Sequence, residues 1–245
     1  MDIPFEPIVF GYKLNIHLIL EYLAFFLGYR YYVYLKKRNT DVITSSNRLY
    51  IILGAAIGAL LGSRIVGILE HPNAITTQSL MYVLNSKTIM GGLFGGLLGV
   101  EIAKKIIGEK HSSGDLFTLP IVVGIFIGRL GCFLTGVNEF TYGKETSFFM
   151  GMDLGDSVLR HPIALYELLF LILLFFFLKW FSKRNQESGD VFKCFMLTYF
   201  GFRFFMEFLK PNQFFVFGLS TIQILCITCW LYYYIFILKA VKYAR

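Results

Sequence analysis

The sequence predicts an all-α polytopic membrane protein of about seven transmembrane helices, and three observations carry that expectation. Of its 245 residues, 56% are hydrophobic and only 16% charged, more apolar surface than a soluble domain of this length can bury. The apolar residues fall into roughly seven runs, each long enough to cross a bilayer. Lys and Arg are spread unevenly over the loops between those runs. No soluble domain or low-complexity segment interrupts the pattern, so residues 1–245 are expected to form one integral-membrane domain.

The expected spans are Leu14–Leu35, Leu49–Leu69, Thr88–Ile107, Leu116–Gly136, Pro162–Phe181, Val191–Leu209 and Phe217–Leu238. The loops after the first, third and fifth spans, together with the tail, carry fourteen Lys and Arg, and the opposite side carries five. The positive-inside rule then puts the N-terminus outside and the C-terminus in the cytoplasm. The net charge of +7 follows from the same bias and calls for no nucleic-acid partner. Met1 to Phe10 holds acids and prolines in place of a basic stretch and an apolar core, so no cleavable signal peptide is expected there.

This orientation gathers the intramembrane polar residues at one depth. Arg64, Arg129, Arg203 and Glu207 fall late in outward-running spans, and Glu21, His161, Tyr166 and Glu167 fall early in inward-running ones. All lie in the outer half of the membrane, where ionisable groups face a bundle interior or a wet cavity. They predict one polar cavity opening outward, with Arg129, Arg203 and Arg64 as cations. Glu101 and Arg30 lie near cytoplasmic ends, where they can snorkel.

Arg129 sits in the densest stretch. Gly128, Gly131 and Gly136 remove side chains around it, which lets backbone or a ligand come close. Two readings stand side by side: an anion site, or an arginine satisfied by a neighbouring Glu or carbonyl. Gly54, Gly58 and Gly62, and again Gly91, Gly95 and Gly99, repeat every four residues, the spacing of closely packed membrane helices. Gly91 and Gly92 also open a span at the outer face, where helix-start amides can receive an anion. The four cysteines lie in apolar runs; Cys226 and Cys229 form a C-x-x-C without a second ligand pair, so no metal and no cofactor is expected.

Two or three guanidinium groups at headgroup depth suit a lipid phosphate, whose oxygens match the planar fork. The same groups would stabilise a phosphate leaving group. A thiol or hydroxyl acceptor would further need a base, for which His161, Glu139, Glu167 and Glu207 are candidates. For Glu207, four residues after Arg203, neutralising that arginine is the competing role, and Glu167 has the same alternative.

Several blocks together resemble the prolipoprotein diacylglyceryl transferase family: Gly91-Gly92-Leu93-x-Gly95, Gly128-Arg129-Leu130-Gly131-x-Phe133, His161-Pro162-x-x-Leu165-Tyr166-Glu167 and Arg203-x-x-x-Glu207-Phe208. Gly62-Ser63-Arg64-Ile65 is similar to its second-segment motif and Ile222-Gln223-Ile224-Leu225 to its last helix. The resemblance implies transfer of diacylglyceryl from phosphatidylglycerol to the lipobox cysteine of a prolipoprotein, at the outer face of a bacterial cytoplasmic membrane, with glycerol phosphate released and no metal involved. It implies Arg129 and Arg203 as holders of the lipid phosphate, and His161, Tyr166 and Glu167 as members of the His-Pro block. Arg64, Gly91, Gly92, Asn138, Glu207 and Lys210 join them as expected substrate contacts, and Glu139 as the loop carboxylate.

The chain also departs from the family pattern. Met90 stands where the glycine block usually begins with His, and a thioether is only a weak acceptor. Cys132 replaces an Asn, Lys210 a second Arg, and Ile163 and Ala164 replace polar residues. The expected base is therefore Glu139 or His161. A relative using the same donor with another acceptor, and a non-catalytic anionic-lipid-binding or transport protein, remain the alternatives.

Overall fold

Side-chain caps start several of the long helices. Asn15 accepts from the Leu18 amide (3.0 Å) ahead of α1, Ile16–Arg38. Thr88 accepts from the Gly91 amide (3.1 Å) ahead of α3, Ile89–Ile107. Ser220 and Gln223 form a reciprocal capping box ahead of α7, Thr221–Tyr232. Each replaces one of the hydrogen bonds that a helix start lacks. The remaining helices are α2, Ser45–Glu70; α4, Asp115–Thr135; α5, Ile163–Phe181; α6, Asp190–Met206; and α8, Tyr234–Tyr243. Two small antiparallel hairpins pair β1, Ile8–Val9, with β2, Tyr12–Lys13, and β3, Met152–Asp153, with β4, Leu159–Arg160. The computed structural model describes residues 3–39, 42–70, 86–184, 187–211 and 218–243. The chain ends, and Phe217 at the start of the seventh expected span, lie outside the described residues.

The first six expected spans each correspond to one helix with ends shifted by a few residues. The sixth ends as a 3-10 turn, Glu207–Leu209, and the seventh region divides at Tyr233 into α7 and α8. Among the described residues, α2, α4 and α5 are long and apolar enough to cross a membrane by length and composition alone. The other helices are shorter or carry charges and tyrosines within them, such as Glu21 and Arg30 in α1 and Glu101, Lys104 and Lys105 in α3. Large apolar side chains such as Phe25, Leu60 and Leu173 are exposed along these helices, a pattern suited to hydrocarbon and a liability in water.

Contacts group the chain into two units. In the first, α1 and α4 run antiparallel. Tyr32 stacks on Phe117 with ring centroids 4.6 Å apart, Gly28 faces the Pro120 carbonyl, and Gly131 faces His17. Asp115, at the start of α4, accepts from the Gly189 and Phe192 amides (2.6 and 3.0 Å) and so ties the start of α6 to that of α4. In the second unit α2 and α3 are antiparallel along the two glycine stripes. A Cβ on Gly58 would collide with the Gly95 carbonyl, and one on Gly62 with that of Gly91. The backbones touch, which is how small residues hold membrane helices together without a hydrophobic driving force. Gln223, fully buried, is satisfied by Ser220 on one side and donates to the Phe204 carbonyl (3.2 Å) on the other.

Two outcomes follow from this packing. Gly58→Ala should destabilise the protein by about 1–3 kcal/mol, because the added methyl meets backbone that cannot rotate away. Gly96→Ala, whose Cβ would find its neighbours at an ordinary 3.5 Å, should be tolerated; thermal denaturation in detergent compares the two. Beyond α3, Glu109 accepts from the Asn47 side chain (2.9 Å) and from the His111 amide and ring (3.0 and 2.8 Å). These bonds, Asn47's first, lower its carboxyl from the ordinary 4.5 to about 2. A depressed carboxylate stabilises the fold above its unfolded value and loses that contribution as pH falls towards the folded one. A site-specific NMR titration should find Glu109 ionised at pH 3 in wild type and shifted back towards the ordinary value in Asn47→Ala.

Candidate functional site

The end of the first unit at which α4 stops and α5 starts collects most of the candidate residues. Arg129 lies two turns before the end of α4 and is 7% exposed. Glu167 lies in the second turn of α5 and is 1% exposed. Arg129 Nε stands 2.8 Å from Glu167 Oε1. The neutralising role open to Glu167 in the sequence is thus the geometry found. Glu167 holds the guanidinium as a close ion pair, and Nη1 approaches the Cys132 sulfur at 3.7 Å. A thiol is a weak acceptor beside a phosphate oxygen.

Gly136 ends α4 with φ +58°, and a Cβ there would strike the Leu154 carbonyl. The chain therefore turns tightly against the hairpin β3–β4, with Val137 N–H donating to Leu154 O (3.1 Å). This turn brings Asn138 and Glu139 back over the start of α1. Asn138 Nδ2 is 3.5 Å from Glu6 Oε1, and Glu6 is paired with Lys13 at 2.7 Å. Glu139 Oε1 lies 3.6 Å from Nδ1 of His17, whose Nε2 lies 3.6 Å from Cys132 Sγ. Cys132, Gly136, Thr141, Tyr142 and Pro162 line a small pocket at this end of the unit.

His161 is built in by backbone. Its N–H donates to Lys144 O (3.1 Å) and its carbonyl accepts from Gly143 N–H (2.9 Å), where any side chain at 143 would collide with it. Its Nδ1 is 3.2 Å from the Tyr166 hydroxyl. The N-cap position of α5 is Pro162, and no side-chain cap is made there. Lys210 is buried, with Nζ 5.5 Å from the Phe140 ring centroid.

The second unit holds the other expected residues. Arg203 Nη2 is 2.9 Å from Glu207 Oε1, one turn on, both nearly fully buried. Arg64 Nη1 reaches the Ser86 carbonyl at 3.5 Å. Gly91 and Gly92 open α3 as expected, but their amides are not turned to an anion: Gly91 N–H goes to Thr88 Oγ1 and Gly92 N–H to Thr88 O. Gly91 is also pressed against the Gly62 carbonyl, so helix contact accounts for it. Met90 is 1% exposed in the first turn of α3. No group of His, Cys, Asp and Glu suited to a metal occurs among the described residues.

His17 is the residue that sequence patterns did not single out. A histidine near the start of an apolar run was the available signal. What hid it was the 115-residue separation from Cys132, which only the α1–α4 pairing closes.

Comparison with known proteins agrees with the motifs. The family model described as prolipoprotein diacylglyceryl transferase matches residues 7–239. The chain is similar to a phosphatidylglycerol–prolipoprotein diacylglyceryl transferase of Nitratidesulfovibrio vulgaris (strain DP4), 32% identical over 198 residues, covering 73% of this chain and 70% of the relative. An enzyme of the same name from Wolbachia pipientis wMel is 31% identical over 208 residues, 78% of this chain and 77% of its own. One from Campylobacter hominis is 30% identical over 252 residues, covering 91% and 86%.

The Arg129–Glu167 pair makes its own prediction. Glu167→Ala should cost about 3–5 kcal/mol, because it leaves a buried guanidinium without its carboxylate. Arg129→Met with Glu167→Leu should recover most of that loss, since two well-packed apolar side chains replace a buried pair at little cost. Denaturation of the single and double variants in detergent measures both.

Proposed function

Since the chain belongs to the prolipoprotein diacylglyceryl transferase family, we propose that it transfers diacylglyceryl from phosphatidylglycerol to the lipobox cysteine of prolipoproteins at the outer face of a bacterial cytoplasmic membrane. The observation that carries the proposal is the buried Arg129, ion-paired with Glu167 and with Nη1 3.7 Å from a weakly accepting sulfur. A lipid phosphate would displace that weak contact and bind the fork. In the transfer the cysteine sulfur forms a bond to the glyceryl carbon next to the phosphate. The carbon–oxygen bond breaks, its electron pair leaves on glycerol phosphate, and the thiol proton passes to a base. Arg129 stabilises the charge that develops on the leaving phosphate. Arg203, paired with Glu207 in the second unit, matches another of the family's arginines.

The reading includes seven spans with the N-terminus outside, supported by the Lys and Arg bias. On that topology, reporter fusions at residues 40, 110 and 185 all report cytoplasm, and a periplasmic signal at any of them would refute it. Purified protein incubated with phosphatidylglycerol vesicles and a lipobox peptide should form the thioether. Arg129→Lys and Arg203→Lys should each lose at least ~10²-fold, because an ammonium cannot replace a charge stabiliser with a fork. Phosphatidylglycerol binding without thioether, despite a free acceptor thiol, would instead identify a lipid-binding protein that has lost its base with Met90.

A further inference from the structure

We infer that His17 is the group that takes the proton from the acceptor thiol, with Glu139 as the residue that positions its ring. This rests on the transfer reading above and names the base which that reading requires and Met90 cannot supply.

Three features of the first unit converge on His17. Its ring bridges Glu139 Oε1 at Nδ1 and Cys132 Sγ at Nε2, both at 3.6 Å. A carboxylate near one ring nitrogen electrostatically favours a proton there, which leaves the other nitrogen as the acceptor. That acceptor faces a sulfur which Arg129 Nη1 also approaches, at 3.7 Å. The ring nitrogen and the guanidinium nitrogen thus flank one side chain, so a group that accepts a proton and one that stabilises a leaving phosphate stand close together. Space for the ring is cleared on purpose: a Cβ on Gly131 would stand 3.2 Å from His17 Cδ2 and 3.3 Å from its Cα. The imidazole keeps 17% of its side chain exposed, so an arriving thiol can reach it.

The other candidates are placed less well. His161 has a neutral partner, the Tyr166 hydroxyl, 3.2 Å from Nδ1, where His17 has a carboxylate. The Glu139 carboxylate is 41% exposed and turned to His17, so it acts through that ring. The Cys132 thiol, a weak hydrogen-bonding partner, holds Nε2 in the site and yields it when a better donor arrives. The step balances without a further reactant. The acceptor S–H proton moves to His17 Nε2, sulfur bonds to the glyceryl carbon, and the carbon–oxygen electron pair leaves with glycerol phosphate. The imidazolium then returns its proton to water.

A base matters only while the acceptor is protonated. The test therefore compares lipobox peptides carrying cysteine or selenocysteine, whose selenol is already ionised at neutral pH, with phosphatidylglycerol vesicles as donor. His17→Gln should lose ~10²-fold or more on the cysteine peptide and less than ~10-fold on the selenocysteine peptide. Glu139→Gln should show the same split at smaller size. Equal losses on both peptides, or no loss on either, would overturn the assignment of His17. If wild type transfers to neither peptide, the transfer reading itself fails and takes this inference with it. Should His17→Gln not fold, Gly131→Ala, which pushes the ring aside, and Glu139→Gln carry the same comparison, and a loss common to both peptides refutes the proposal there too.

Discussion

The pairing of Arg129 with Glu167 is the constraint on which the rest of this end of the molecule depends. A guanidinium this buried in an apolar helix pair is tolerated only with a carboxylate beside it. That requirement fixes how the last turns of α4 face the first turns of α5. It also explains why the intervening segment is so closely determined. Between the two charged residues the chain must leave α4, turn over the hairpin and re-enter α5 in register. Gly136 at positive φ and Gly143 against His161 are the points where only a missing side chain allows it.

The second unit uses the same materials differently. Its ion pair, Arg203 with Glu207, lies within one helix end, so it fixes a side chain and not a helix pairing. The pairing of α2 with α3 comes from glycine, carbonyl against backbone, over three successive turns. Glycine contact binds two helices rigidly but offers no chemistry. Chemistry resides where charge is buried, and packing where side chains are absent. Gly91 shows the distinction, since a helix-start glycine that could face an anion is spent on its cap and on Gly62.

Six of the seven apolar runs became helices within a few residues of their expected ends, because run length and polar boundaries are local properties. The partition of the last run at Tyr233 was not legible, since the run is continuously apolar and its break lies in backbone geometry. The partners of Arg203 and Arg129 were visible as types: Glu207 by its four-residue spacing, Glu167 only as one carboxylate among several. His17 and Cys132 could not be joined in the sequence. Their meeting depends on the antiparallel register of α1 and α4, set by Tyr32 on Phe117 and by glycines at 28 and 131. The replacement of an expected Asn by Cys132 marked the position as altered without saying what it faced.

That register gives Cys132 its meaning. On α4, residues three apart share a face, so Cys132 accompanies Arg129 wherever the helix turns. On α1, His17 lies in the first turn, where Asn15 caps the helix and the β1–β2 hairpin precedes it. The two helices therefore present a fixed cation and a titratable ring to opposite sides of one sulfur. A thiol there is small, polarizable and a weak hydrogen-bonding partner, so it fills the space between them without committing either. An Asn at the same place would offer a carbonyl to the arginine and an amide to the ring, satisfying both more firmly. Cysteine therefore leaves both contacts weak.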